Sequence, residues 1–266
     1  MNIYFHELKS YRKATLIWIV SLSTLVFVFL LMFPSFTNDI GITQRILANL
    51  PPLLRGAINI SMQNFFSIYG FFAYLFTFIA LAGAIQAMNL GVGILSKEES
   101  GKTVDFLLTK PISHKAVITN KLFAVITLII ATNVVFSAVA LLVAKMVSTA
   151  AFSSRTFLLL SATLLLVQVF FAALGVVLSV IIPKIKSVIS VTLPTVFAFF
   201  IIGTLGAIIG SDTVRYLTPF KFYDPNYIIS HNSYEMKFVV IEAIFVVVAV
   251  VLSYVIYIRK DIRAVS

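Results

Sequence analysis

The sequence contains no cysteine and few charged residues: 11% are Asp, Glu, Lys or Arg, while 60% are hydrophobic. Without a thiol the chain can form no disulfide, no iron–sulfur cluster and no thiolate metal site. The mean hydropathy of +1.05 lies far outside the range of soluble globular proteins. We therefore predict an integral membrane protein, most of whose surface contacts membrane lipid.

Groupings of catalytic residues are also missing from the sequence. The three histidines, His6, His114 and His231, lie in separate connections, so no pair of them has metal-ligand spacing. No Gly-x-Ser-x-Gly motif occurs, and the apolar runs hold no Asp and His set that would activate a serine. We expect a chain that is not an enzyme and that holds no metal or cofactor of its own. We interpret the net charge of +10 through membrane topology and anionic lipid, not nucleic acid.

Six apolar runs are long enough to cross a membrane, since a helix needs about 20 residues to span ~30 Å of hydrocarbon. They cover residues 15–32, 66–90, 117–143, 157–182, 188–209 and 238–258. None shows the strict alternation of a β-barrel strand. The fold class is therefore all-α: one polytopic transmembrane domain over residues 1–266. Residues 1–13 are predicted to form a short interfacial helix, with the start of the first span as the alternative.

The basic residues predict the orientation of the chain. Six spans put both termini on one side, and that side carries 13 of the 20 Lys and Arg residues, against 7 on the other. By the positive-inside rule, both termini and the polar segment 96–115 are predicted to be cytoplasmic. Residues 34–65, 144–156 and 211–237 then form outer loops.

A few polar residues interrupt the spans and are candidates for a translocation path: Asn133, Gln168 and Glu242. A charge at the bilayer centre costs about 2.5–3.5 kcal/mol or more, which makes an embedded carboxyl a functional candidate. Glu242 lies about one turn inside its span, whereas Asn133 and Gln168 favour interhelical hydrogen bonds. Gly206 and Gly210 have the small-xxx-small spacing of closely packed helices.

The segment 96–115 is a dense polar island between two apolar runs. It contains Gly101-Lys102-Thr103, but the first glycine of a P-loop would fall at Ser96, and no strand precedes it. The pattern instead predicts a short amphipathic helix, ended by Pro111, that fits a groove on another protein. The alternative is an interfacial helix that binds only lipid headgroups.

The same segment resembles that of ABC-2 type permeases, the membrane subunits of bacterial ABC exporters. The resemblance rests on Glu98-Glu99-Ser100-Gly101-Lys102-Thr103, then Phe106-Leu107-Leu108, then Lys110-Pro111-Ile112-Ser113, together with the topology and the outer stretch Thr218–Asp224. Two departures are His114, where an arginine is common, and Lys102, which separates Gly101 from Thr103.

The resemblance implies a type V exporter-like fold in the bacterial plasma membrane. ATP and Mg²⁺ would bind to a separate cytoplasmic ATPase subunit, and a second permease subunit, identical or related, would complete the transporter. The residues implied to couple to the ATPase are Glu98, Glu99, Gly101, Thr103, Phe106, Leu107, Leu108, Pro111 and Ser113. The sequence weakly favours an amphipathic peptide, an antibiotic or another lipophilic substrate.

Two other classes stay open at this point. One is an ion-coupled secondary transporter or channel, although such proteins usually carry charged groups near the membrane midplane. The other is a membrane sensor or scaffold subunit that transports nothing.

Overall fold

The computed structural model describes residues 3–38, 40–51, 64–100, 114–210 and 212–264. It is 87% helical, and these residues contain no β-strand, which confirms the all-α prediction. The α-helices are α1 (Ile3–Leu31), α2 (Phe33–Asn38), α3 (Ile40–Asn49), α4 (Ile68–Ser100), α5 (His114–Val147), α6 (Ser154–Ile181), α7 (Val188–Ile209), α8 (Pro225–His231) and α9 (Met236–Ala264). Two 3-10 helices, Asp212–Leu217 and Pro219–Lys221, lie between α7 and α8.

Six helical stretches are long and apolar enough to cross a membrane, in agreement with the six predicted spans: α1 with α2, α4, α5, α6, α7 and α9. Five of them are longer than the predicted spans. Among these, α4 and α5 are unbroken helices of 33 and 34 residues. At 1.5 Å per residue each is about 50 Å long, well beyond the ~30 Å hydrocarbon layer. By contrast, α7 has 22 residues, about enough to cross that layer.

The centre of the bundle is the pair α4 and α6. In their most apolar windows 67% and 61% of the residues are buried, against 17% in both α7 and α9. Glycines allow this contact: a Cβ on Gly91 would lie 2.3 Å from the Ala172 carbonyl oxygen, and one on Gly175 would lie 2.9 Å from the Met88 carbonyl oxygen. Small residues let the two backbones touch.

The predicted close helix contact is found at Gly206, where the partner is a 3-10 helix, but not at Gly210. A Cβ on Gly206 would meet Val214 at 2.3 Å, so this glycine makes room for the 3-10 helix that follows α7. Gly210 ends α7 in the left-handed region, with φ 69°. Glycine adopts this conformation without the steric cost that a side chain adds, so the residue is a helix end and not a packing contact.

The N-terminal residues do not form a separate interfacial helix. They belong to α1, which continues without a break from Ile3 to Leu31 and so matches the alternative of a span that begins early. No glycine or proline interrupts this stretch. Glu7 and Thr15 are buried, and Leu8 and Tyr11 pack against the core. Tertiary contacts therefore keep the polar part of α1 against the bundle.

Of the predicted outer loop 211–237, the described residues 212–237 fold onto the bundle, and we call them the outer connection. Thr218 is fully buried, and its hydroxyl donates to the Phe199 carbonyl of α7 at 2.9 Å. The Phe222 ring stacks on Phe238 of α9, with 5.4 Å between centroids. This connection is thus part of the core between α6, α7 and α9.

Candidate functional site

The predicted ATPase-coupling segment lies mostly outside the described residues. This applies to Gly101, Thr103, Phe106, Leu107, Leu108, Pro111 and Ser113. Glu98 and Glu99 belong to the last turn of α4, but their side chains are not among those described. The structure does define the helix ends on either side of the segment: α4 ends at Ser100, and α5 begins at His114.

A buried ion pair joins three helices near these two ends. The Lys121 ammonium of α5 donates to Glu7 Oε1 of α1 at 2.9 Å and to the Ile94 carbonyl of α4 at 2.6 Å. Water is excluded, because the two charged side chains are only 1% and 7% exposed. Tyr4 of α1 adds a hydrogen bond of 3.0 Å to Thr127 of α5. The polar start of α1 is thereby fixed to the helices that flank the segment.

Sequence reasoning misses this pair. The charge count places Lys121 among the cytoplasmic residues, and the interfacial-helix prediction places Glu7 on a surface. One signal is available: Lys121 is the only charged residue in the apolar run 117–143. A buried lysine requires a partner, because an unpaired charge in low dielectric is very costly. The identity of that partner, 114 residues away along the chain, needs the fold.

A second buried cluster consists of amide and hydroxyl groups in the middle of the bundle. Gln168 of α6 accepts a hydrogen bond from Asn133 of α5 at 2.6 Å, and it donates to Gln86 Oε1 of α4 at 3.0 Å. Gln86 in turn donates to the Thr132 hydroxyl at 2.9 Å. All four side chains are buried. The predicted interhelical hydrogen bonds of Asn133 and Gln168 are confirmed, and they join α4, α5 and α6.

The third candidate of the translocation path, Glu242, lies apart from this cluster. It is 4% exposed and accepts a hydrogen bond of 2.6 Å from the Tyr223 hydroxyl of the outer connection. Burial first, and the nearby Glu242 carboxyl second, raise the pKa of Tyr223 above its ordinary value. The phenol therefore stays protonated at neutral pH and remains a donor. Glu242 is thus a contact between α9 and the segment that covers the bundle.

Tyr223 also lines a small cavity of about 30 Å³ between α4, α6, α7 and the outer connection. Three threonines, Thr77, Thr163 and Thr204, contribute to its walls, together with Lys221. Burial lowers the pKa of Lys221, an effect that Asp224 opposes and Arg215 reinforces. A volume of this size is enough for a water molecule. In this conformation the cavity is too small for a peptide or a drug.

Charged residues at the same end tie the outer connection to the start of α9. Arg215 pairs with Glu235, and its guanidinium lies 4.5 Å from the centroid of the Phe238 ring. Lys237 also pairs with Glu235, at 3.0 Å. Burial tends to raise the pKa of Glu235, but the hydrogen bonds from Arg215 and Lys237 lower it below its ordinary value. The carboxylate is held in its charged form.

In the described part of the chain no three His, Asp or Glu side chains lie close enough together to hold a metal ion. The site residues are instead hydrogen-bonding amides, one buried ion pair, partly exposed ion pairs and a polar segment between two long helices. A bundle that changes arrangement can be built from such features, but they are shared by several classes of membrane protein.

The sequence matches the family described as ABC-2 family transporter protein over residues 1–262. The chain belongs to the ABC-2 transporter family. No curated protein gives a significant match. The six apolar helices and the family together identify a multi-pass membrane protein of the ABC transporter permease type. Family membership implies association with an ABC ATPase.

Proposed function

We propose that this ABC-2 protein is the permease subunit of a bacterial ABC exporter. A separate cytoplasmic ATPase subunit would bind ATP and Mg²⁺, and a second permease subunit, identical or related, would complete the translocation path. The chain itself would catalyse no reaction and would hold no cofactor. Both termini and the segment 96–115 would face the cytoplasm of the cell, in its plasma membrane.

The observation that carries this proposal is the length of the two helices on either side of the coupling segment. Helices of 33 and 34 residues are each about 50 Å long, well beyond the ~30 Å of the hydrocarbon layer. Extending out of the hydrocarbon to the membrane surface, α4 and α5 would present residues 101–113 to a cytoplasmic protein. A force on this segment would act on both helices.

The buried ion pair supports the same interpretation. Because Lys121 holds Glu7 of α1 and the Ile94 carbonyl of α4, the ends of α1, α4 and α5 form one unit. A closing ATPase dimer would then tilt three helices together, as in other rigid-body switches. The buried amides Gln86, Asn133 and Gln168 would connect this movement to the centre of the bundle.

The class of substrate is proposed from the composition of the bundle. An apolar bundle with 25 phenylalanines fits an amphipathic peptide, an antibiotic or another lipophilic molecule. The cavity beside Tyr223 is too small for such a molecule, so the path would open only when the helices move. Glu242, Asn133 and Gln168 remain the proposed polar residues of that path.

The test is co-purification with the cognate ATPase followed by measurement of ATP hydrolysis. The double charge reversal Glu98→Lys with Glu99→Lys should abolish the association or the stimulation of ATP hydrolysis by the permease. Lys237→Glu, a reversal at the other end of the bundle, serves as the matched control and should leave both unchanged. Full coupling after the double reversal would contradict the proposal.

A transport assay with the chain alone distinguishes the other classes. In proteoliposomes without an ATPase, we expect no substrate movement under an ion gradient. Transport driven by the gradient would establish an ion-coupled transporter or channel. A complex that binds its ligand and its ATPase but moves nothing across the membrane would indicate a sensor.

A further inference from the structure

An apolar groove lies between α5, α6 and α9. Its cavity volume is about 240 Å³, and its walls include Leu122, Ile126 and Ile129 of α5, Ala173 of α6 and Val250 of α9. For comparison, an engineered apolar protein cavity of about 150 Å³ is large enough to bind benzene. The groove can therefore hold part of a hydrocarbon chain.

One end of the groove is polar, and the rest is not. Thr119 and Tyr254 line that end, and their hydroxyls lie 2.7 Å apart. One turn earlier on the same face of α5 stands Lys115, which is exposed and whose carbonyl accepts a hydrogen bond from Thr119. Residues at i, i+4, i+7 and i+11 share one face of a helix, so Lys115, Thr119, Leu122 and Ile126 form a continuous stripe into the groove.

Two aromatic rings lie at the same end of the groove. The rings of His114 and Tyr257 are in edge contact across α5 and α9, with 6.5 Å between centroids. Tyrosines of this kind are enriched where the hydrocarbon meets water. From its mouth inward the groove therefore offers a cation, then hydroxyl groups, and then an apolar wall.

We propose that this groove binds one acyl chain of an anionic phospholipid, whose headgroup contacts Lys115. The apolar wall matches the chain, and the lysine at the mouth matches a phosphate-bearing headgroup of net negative charge. Basic pockets between membrane helices are known to select such headgroups, and one lysine near the membrane surface contributes about 1 kcal/mol. This site does not depend on the ATPase or on the transported substrate.

Quenching of tryptophan fluorescence by lipids with brominated chains tests the proposal on the full chain. The single tryptophan is first removed by Trp18→Phe, and Phe123→Trp then places a fluorophore at the rim of the groove. Vesicles contain phosphatidylcholine and phosphatidylglycerol, with one of the two brominated at a time. The ratio of the two quenching curves gives the relative association constant of the anionic lipid at that position.

The matched control is Phe197→Trp in the same Trp18→Phe background. Both phenylalanines lie nine residues after the first residue of their helices, α5 and α7, and they are 59% and 42% exposed. Because the control experiences the same net charge of the protein, any general enrichment of anionic lipid affects both positions. We expect the ratio to be roughly fivefold higher at the groove than at the control.

Two further variants connect this preference to the groove. Lys115→Gln should remove the fivefold difference while quenching by both lipids persists. Ile126→Phe, a change at a side chain that is 47% exposed, should reduce quenching by both lipids because it fills the groove. Equal ratios at Phe123→Trp and Phe197→Trp would overturn the proposal. If neither brominated lipid quenches the fluorescence of Phe123→Trp, the proposal is also overturned, and a protein surface covers the groove instead.

Discussion

The two ends of the bundle are held together in different ways. At the end next to the predicted coupling segment, here called the coupling end, one ion pair between Lys121 and Glu7 joins three helices, and its side chains are 1% and 7% exposed. At the opposite end Arg215, Glu235 and Lys237 share their contacts, with side chains that are 25%, 12% and 53% exposed. The ion pair at one end is thus desolvated, whereas the ion pairs at the other end are partly hydrated.

This difference has an energetic consequence. Removing one partner of a buried ion pair leaves an uncompensated charge and costs about 3–5 kcal/mol. Exposed pairs are worth about 0.2–1 kcal/mol each, because water screens them and replaces lost contacts. A single substitution in the ion pair between α1, α4 and α5 should therefore cause a large loss of stability at the coupling end. At the outer end, each single substitution in an ion pair should cause only a small loss of stability.

The largest expected effect comes from Lys121→Met, which leaves the Glu7 carboxylate buried without its cation. We expect a loss of about 3–5 kcal/mol in the free energy of unfolding, measured by denaturant titration in mixed micelles. The double variant Lys121→Met with Glu7→Leu removes both charges and should recover most of this loss, since apolar replacements of a buried pair are often neutral.

The control for this prediction is Lys115→Met, which neutralises an exposed lysine on the same helix and should change the free energy of unfolding by less than about 0.5 kcal/mol. If the double variant is as unstable as Lys121→Met alone, the loss of stability would come from the hydrogen bond to the Ile94 carbonyl and from the packing of the lysine side chain, not from the charge of Glu7. If Lys121→Met is harmless, the contrast between the two ends is wrong.

The ion pair also shows where sequence reasoning reaches its limit. The number of spans, their approximate bounds and the all-α fold follow from hydrophobic runs, because the lipid imposes a minimum length on each helix. The hydrogen bond between Asn133 and Gln168 can be anticipated, since a side-chain amide inside a span needs a hydrogen-bond partner. The pairing of Lys121 with Glu7 depends on which helices are neighbours, and neighbour relations are not encoded in hydropathy.

The glycines illustrate the same limit. The spacing of Gly206 and Gly210 predicts a close helix contact, but Gly206 makes this contact with the 3-10 helix that follows, and Gly210 ends α7. The close contact between two spans lies at Gly91 and Gly175, on different helices. A small-xxx-small motif indicates that another segment can pack closely against the backbone of that helix. It does not identify the segment that packs there.

An intermediate effect is expected at the outer end from Tyr223→Phe. The phenol donates to Glu242 Oε2 at 2.6 Å, and both residues are buried. Removing the hydroxyl leaves the carboxyl without this donor, which costs about 1–3 kcal/mol. The same unfolding titration measures it. Tyr216→Phe, at a tyrosine that is 50% exposed, is the control and should have almost no effect.

This result would sharpen the comparison between the two ends. A loss in free energy of unfolding near about 3 kcal/mol would show that the buried hydrogen bond between Tyr223 and Glu242 dominates at the outer end, in addition to the partly exposed ion pairs. A loss no greater than that of the control would mean that the packing of Phe222 and Thr218 alone holds the outer connection in place. In both cases the variant measures how far Glu242 contributes to stability and not to transport.

The smallest effect is expected from Glu235→Gln, and it should depend on pH. Arg215 and Lys237 lower the pKa of the Glu235 carboxyl in the folded protein, against the opposing influence of burial. A lowered folded-state pKa stabilises the protein above the unfolded-state value of about 4.3, and this contribution is lost as the pH falls through the folded-state pKa. At neutral pH the variant should lose no more than about 1 kcal/mol.

The measurement compares the free energy of unfolding of Glu235→Gln with that of the native sequence between about pH 7 and pH 3. We expect the difference in free energy of unfolding to stay constant down to about pH 5 and then to shrink towards zero as Glu235 of the native sequence becomes protonated. Because these charges are partly exposed, added salt should also reduce the difference, whereas it should leave the loss caused by Lys121→Met almost unchanged. A difference that grows on acidification would mean that Glu235 is held in its neutral form, and the ion pairs with Arg215 and Lys237 would then not explain how the outer connection is attached to α9.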